Sequence, residues 1–301
     1  MEPTPVARVT AAYGRHLLLR TPDGGELRAR PFGRALGAVC GDQVRWRRDA
    51  RHDEVHAVEV LPRRNVLWRA NTRGGAEAVV ANLDRLLVVL APLPAAELFV
   101  IDRYLAAATA ADIPATLIVN KSDLGIPQGL AAELGAYAAA GYAWLGCAAQ
   151  DGSGLAELRA ALKPGSLNAL VGQSGVGKSS LVRALLPQAQ IAIGSLVREE
   201  EGRHTTTAAR LFELPQGSSL IDSPGVRDFA PALSALDERT LGFAEVARLA
   251  AQCRFSDCRH MKEPGCAVRA AAEAGTLYPR RYESYRRLRR LREGLSGARG
   301  R

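Results

Sequence analysis

Two short motifs occur in an order that few folds can accommodate. The stretch "NALVGQSGVGKSSL", residues 168–181, reads as an apolar strand, a glycine-rich loop and the start of a helix. Within it Gly172 through Ser179 fit G-x-x-x-x-G-K-[ST], the spacing of a phosphate-binding loop. Before it in the chain stands "IVNKSDL", residues 118–124, again at the end of an apolar run. Both motifs belong at strand ends of a parallel sheet whose faces are covered by helices. The segments around them alternate accordingly: "RLLVVLA", "ATLIVNKSD", "YAWLGCAA" and "SSLIDSPG" read as strands, "AELFVIDRYLAAATAAD" and "KSSLVRALLP" as helices.

The residue types point to a nucleotide. Gly172, Gly175 and Gly177 permit a backbone that closes N–H groups around a β-phosphate, with Gln173, Ser174 and Val176 between them. Lys178 suits the β- and γ-phosphate oxygens, Ser179 offers a hydroxyl to Mg²⁺, and Ser180 lies in the helix whose N-terminus favours anions. Asp222 in "SLIDSPG" ends a strand 44 residues after Lys178, where it suits the Mg²⁺ shell, and the Gly225 N–H suits the γ-phosphate. In "NKSD", Asp123 can accept paired hydrogen bonds from guanine N1–H and N2, which adenine does not offer. Asn120 braces the loop, the Lys121 stem covers the ring face, and Ser122 completes the motif. "CAAQDGSG" at 147–154 reads as the remaining wall of the base pocket, with Cys147 where serine is usual and the Ala148 N–H facing the guanine carbonyl.

In ordinary GTPases the phosphate loop precedes the Mg²⁺ aspartate and the base-reading motif comes last. Here the base-reading motif comes first, which predicts a circularly permuted domain; rotation preserves the site where the old termini lie close together. "EEEGRHTTTAARLF", residues 199–212, then falls where the first switch belongs, and Thr206 is the expected second Mg²⁺ hydroxyl. Val226 stands where a water-orienting Gln is common, so slow intrinsic hydrolysis is expected. His204 either positions that water once a partner orders the loop or is an ordinary solvated histidine.

The flanks differ in character. Residues 1–65 alternate apolar and polar residues between Gly and Asp turns, as in a small all-β barrel of oligonucleotide-binding (OB) or SH3-like type. Near "LPRRNVLWRANTRGG" the Pro, Arg and Gly residues break that strand pattern. Residues 232–301 are mainly helical and carry Cys253, Cys258, His260 and Cys266, a closed set suiting one structural Zn²⁺. The final helix places Tyr278, Tyr282, Tyr285, Leu288 and Leu291 on one inward face, leaving its arginines for phosphates or for solvent. The net charge of +9 sits at the ends: 14 Arg/Lys against 8 Asp/Glu in residues 1–75, 17 against 21 in 76–275, and 9 against 2 in 276–301. Basic ends suggest a polyanion, nucleic acid first, or else an Arg-rich composition. With five cysteines and no long apolar run or signal pattern, the chain reads as cytosolic, with no membrane association.

Taken together, the barrel, "NKSD", "GQSGVGKSS", "DSPG", "GRHTTTAARL" and "CRFSDCRHMKEPGCAV" resemble the RsgA/YjeQ family of bacterial small-ribosomal-subunit-dependent GTPases along nearly the whole chain. The resemblance implies an OB-type barrel (1–65), a permuted GTPase domain (66–231) and a zinc-binding module (232–301). It also implies GTP and GDP as ligands, the small subunit and its 16S rRNA as partners, subunit-stimulated hydrolysis, and switch roles for His204 and Thr206. A monomer is expected, there being no coiled-coil pattern. A GTP-gated RNA-binding module with little turnover is the alternative.

Overall fold

The computed structural model describes residues 4–13, 15–33, 36–49, 51–71, 75–186, 209–222 and 230–298, with side chains as far as residue 295. The first five strands are β1 (Val6–Ala12), β2 (Leu17–Arg20), β3 (Glu26–Pro31), β4 (Gln43–Asp49) and β5 (Glu54–Val60). They pair in the order β1-β2-β3-β5-β4, and β4 returns to β1 through Val6↔Arg45, Ala7↔Val44 and Arg8↔Gln43. The β3–β5 pair is parallel, the rest antiparallel. This closed five-strand connectivity is the OB-type barrel, which the alternating pattern alone did not separate from an SH3-like one. Ala7, Val9, Leu17, Leu19, Ala29, Val44, Val55 and Ala57 fill its interior, the alanines keeping the inward residues of so small a barrel within its volume.

The stretch after the barrel departs from the expectation of a broken strand pattern. It forms a hairpin of β6 (Val66–Ala70) and β7 (Ala76–Ala81). Asn71 closes the turn: its N–H donates to the Gly75 carbonyl at 2.9 Å and its Oδ1 accepts from the Gly75 N–H at 2.7 Å. The side-chain acceptor supplies what the Arg- and Gly-rich sequence conceals.

The central sheet has the order β10-β9-β8-β11-β13-β12, with β8 (Arg85–Leu90), β9 (Ala115–Val119), β10 (Ala143–Gly146), β11 (Leu167–Gly172), β12 (Arg210–Glu213) and β13 (Ser219–Asp222). All are parallel except β12, which runs antiparallel to β13 and reaches the barrel through Ala11↔Arg210. Alternate side chains of β8 explain its unbroken apolar run. Leu86, Val88 and Leu90 pack with α1 (Leu98–Ala110) and α2 (Gln128–Ala140), whereas Leu87 and Val89 pack with α3 (Leu155–Ala161) and α4 (Lys178–Leu185).

The C-terminal region holds α5 (Ala244–Ala250), α6 (Ala267–Glu273) and α7 (Pro279–Ala298). Of the expected inward stripe on α7, Tyr282, Tyr285 and Leu288 are buried, but Tyr278 and Leu291 are exposed. The arginines depart further from expectation. Arg281 and Arg289 are buried and Arg280 is largely covered, because acidic partners wait in neighbouring elements. Arg281 donates from Nη1 to Asp102 on α1 and from Nε to Glu245 on α5, both at 2.6 Å, and its guanidinium lies 4.7 Å from the Phe243 ring centre. Arg280 donates to Asp102 and to Glu133 of α2. Burial works against the Arg281 cation, yet the Asp102 and Glu245 carboxylates hold its pKa well above the ordinary arginine value. Part of the basic C-terminus thus neutralises carboxylates of the sheet-covering helices rather than facing solvent.

Candidate functional site

The parallel strands bring their carboxyl ends to one edge, the usual ligand edge of an open α/β sheet. Register places Gly172 opposite Val89, and Val119 opposite Leu90 and Gly146. Leu167, Asn168 and Ala169 pair with Ser219, Leu220 and Ile221, so Asp222 ends β13 level with Leu170, two residues short of the end of β11. The phosphate loop, "NKSD", Asp222 and the 147–154 loop therefore converge, although up to 102 residues separate them in sequence.

Two of the loop glycines are required by close approach. A Cβ on Gly172 would lie 2.2 Å from the Val89 carbonyl oxygen, and one on Gly177, at φ +89°, would lie 2.2 Å from Asn120 Nδ2. Lys178 begins α4 and is buried; its Nζ donates to the carbonyls of Gly172 at 2.6 Å and Gln173 at 2.7 Å, which fixes its charge at the loop. Gln173 ties the loop to the start of α1, donating to the Ala95 carbonyl at 2.9 Å and accepting from the Glu97 N–H at 2.7 Å.

The base-reading loop is bonded directly to the phosphate loop. Asn120, fully buried, donates from Nδ2 to the Val176 carbonyl at 2.8 Å and accepts at Oδ1 from the Ala149 N–H at 3.1 Å. Lys121 adopts φ 58°, an uncommon conformation for a residue with a Cβ, and donates from Nζ to the carbonyls of Leu93 and Gly175, both at 2.8 Å. Its stem is thereby laid between the two loops. Ser122 and Asp123 follow on a short 3₁₀ turn (Ser122–Leu124), and Asp123 is exposed.

The 147–154 loop is closed by its own backbone. The Ala148 N–H donates to the Ser153 carbonyl at 2.8 Å. The Cys147 side chain packs with Leu87, Val89, Ile118 and Leu155, and burial pushes its thiol up to about 11. Cys147 acts through its backbone, donating to Val119 and accepting from the Ser122 N–H at 3.1 Å. The loop supports "NKSD" from beneath. His204, Thr206, Gly225 and Val226 lie outside the described residues.

In the C-terminal region one ligand atom each of Cys253, Cys258, His260 and Cys266 lies within 4.8 Å of the others. His260 Nδ1 is 3.5 Å from the sulfurs of Cys253 and Cys266. A tetrahedral zinc with ordinary bond lengths has an N···S edge of about 3.6 Å, which these two histidine–cysteine distances match. Burial, aided by the Arg239 charge, lowers the His260 pKa to about 4, which keeps the ring neutral as a metal ligand must be. The sequence reading missed Glu263 between these ligands. Its carboxylate accepts the N–H groups of Arg259, Met261 and Lys262 at 2.9–3.0 Å. Burial opposes its ionisation, but these backbone donors prevail and bring its pKa down to about 2. A Glu just before Pro-Gly inside a ligand loop was the available signal.

A doubly wound sheet with a phosphate loop, a strand-end aspartate and an "NKSD" loop preceding both defines a circularly permuted P-loop GTPase. Residues 60–231 match the RsgA GTPase family. The small ribosomal subunit biogenesis GTPase RsgA of Pseudomonas aeruginosa strain LESB58 is 42% identical over 290 residues, 95% of this chain and 85% of that protein. Its namesake from Azotobacter vinelandii is 46% identical over 254 residues, 83% and 74% of the two chains. The crystal structure of YjeQ from Thermotoga maritima superposes with a TM-score of 0.74 at 26% identity, covering 95% of this chain and 98% of that one. YloQ, a circularly permuted GTPase, shares the fold at a TM-score of 0.70 and 23% identity over 96% and 95% of the chains. The chain belongs to the RsgA GTPase family.

Proposed function

We propose that this GTPase acts in late maturation of the small (30S) ribosomal subunit, binding its 16S rRNA and hydrolysing GTP to GDP and phosphate with stimulation by the subunit. The observation that carries the nucleotide half is the clamp of Asn120 and Lys121 on the carbonyls of Val176 and Gly175. It makes base recognition and phosphate binding one rigid unit. The ribosomal half rests on the relatives named above.

In this reading Asp123 takes guanine N1–H and N2, and the Lys121 stem covers the ring. Amides of residues 172–177 surround the β-phosphate, while the Lys178 ammonium offsets phosphate charge. Ser179, Thr206 and Asp222 are hard oxygen ligands fitting Mg²⁺, which supplies charge neutralisation when bound with GTP. Gly225 meets the γ-phosphate, and His204 orients water once the subunit orders its segment. The four C-terminal ligands hold one structural Zn²⁺, as three thiolates and an imidazole suit. The modules divide at 1–65, 66–231 and 232–301, and the protein works as a cytoplasmic monomer. Among the described residues no helix is long and apolar enough to cross a membrane.

Asp123→Asn tests the base assignment. Asn keeps an acceptor for N1–H but presents an NH₂ that opposes guanine N2 and suits the xanthine carbonyl. GTP affinity should fall at least about a hundredfold while XTP affinity rises. Unchanged discrimination between GTP and XTP would remove Asp123 from the base site.

A further inference from the structure

The outer surface of the barrel carries an arrangement that the nucleotide site does not use. Arg28, Arg30 and Phe32 project to one side along the β3 line, alternating with inward Ala29. Register sets Arg30 and Arg47 on either side of His56, forming a row across β3, β5 and β4. Phe32 is pinned by its N–H to the Ala57 carbonyl at 2.8 Å, and its ring meets His56 edge-on at 6.0 Å. The Arg47 guanidinium lies 4.5 Å from the Phe32 ring centre, yet 55% of Phe32 remains in water.

A lone exposed phenylalanine is ordinary. What distinguishes this one is the charge pattern. Arg30, Arg45 and Arg48 each pair with a carboxylate, of Glu54, Glu59 and Asp53. Arg28 and Arg47 have no ion pair among the described residues. Arg47, without a carboxylate partner among the described residues, lies against a half-exposed aromatic ring, and residues 1–75 carry 14 basic and 8 acidic residues. An acidic peptide would use the guanidinium groups and leave the ring idle. A nucleotide uses both, the base stacking on the ring and the phosphates meeting the arginines.

We propose that Phe32 and Arg47 form a stacking site for one unpaired RNA nucleotide, with Arg28 further along the same face of β3. The identification of that RNA with the small subunit rests on the function proposed above; the site's chemistry does not. Stacking fixes the base, and Arg47 either stays against the ring or turns to the phosphate.

The test uses the full chain and three labelled probes at one salt concentration: single-stranded oligo(A), the same strand with abasic positions, and an RNA duplex. Wild type should prefer the intact single strand. Phe32→Ala should weaken it about tenfold, leave the abasic strand and the salt dependence unchanged, and Phe32→Trp should restore binding. Arg47→Ala should instead weaken all three probes and flatten the salt dependence. The proposal is overturned if wild type does not distinguish intact from abasic strands, or if Phe32→Ala weakens both equally. Loss of subunit binding by Phe32→Ala, without oligonucleotide binding by wild type, would likewise overturn it and indicate a protein partner. Subunit-stimulated GTP turnover by wild type is scored separately. Its absence alongside intact strand discrimination refutes the ribosomal reading and leaves the stacking site standing.

Discussion

Replacing Arg281 by Met should uncouple the C-terminal helix from the helices that cover the sheet. Arg281 is 2% exposed and spans Asp102 and Glu245. Asp102 would keep the Arg280 guanidinium and the Tyr137 hydroxyl, the latter at 2.8 Å. Glu245 has no such reserve among the described residues, where its Oε2 is buried without a partner and its Oε1 would lose the 2.6 Å bond. A buried carboxylate left uncompensated costs about 3–5 kcal/mol, whereas replacing both partners by apolar groups of similar size is often near neutral. Arg281→Met should therefore lose about 3–5 kcal/mol and Arg281→Met with Glu245→Leu much less, a coupling of about 2–4 kcal/mol. Urea unfolding followed by far-UV circular dichroism gives the energies. Because Trp46, Trp68 and Trp144 all precede the C-terminal module, release of the metal proposed for its Cys/His cluster to a chromophoric chelator reports that module separately. A single-variant loss below about 1 kcal/mol, or no recovery in the double variant, would refute the argument.

Three further outcomes are expected. Gly177→Ala should force Asn120 away from the Val176 carbonyl, since its Cβ would meet Nδ2 at 2.2 Å, and weaken GTP binding at least about tenfold in a chain that still folds; unaltered affinity by isothermal titration would contradict the close-approach reading. Glu263, held near 2 by three backbone N–H groups, contributes stability that is fully present above the unfolded value of 4.5 and lost as pH falls through 4.5 toward 2. Glu263→Gln should flatten that acid limb, by about 1–3 kcal/mol, in urea midpoints measured across it. His204→Ala should abolish subunit-stimulated turnover without changing GTP affinity; equal stimulation in single-turnover assays would exclude His204 from hydrolysis.

The phosphate loop and "NKSD" were legible because their chemistry needs particular residues at fixed local spacing. So was the Cys/His set, whose four members fall within 14 residues and come together in the fold. Long-range closure was not legible. The barrel type depends on β4 returning to β1 and on the parallel β3–β5 pair, which an alternating pattern does not encode. The fate of the α7 arginines depended on Asp102, some 180 residues earlier. The burial of the Cys147 side chain depends likewise on residues of distant strands, Leu87, Val89 and Ile118. A one-dimensional motif does not specify those choices.

The most direct measurement is steady-state phosphate release from GTP by the purified protein, alone and with purified small ribosomal subunits, with large subunits and ATP as controls. The account predicts slow turnover alone, large stimulation by small subunits only, and no use of ATP. GTP-dependent binding to small subunits without stimulation would contradict it and leave a GTP-gated RNA-binding module.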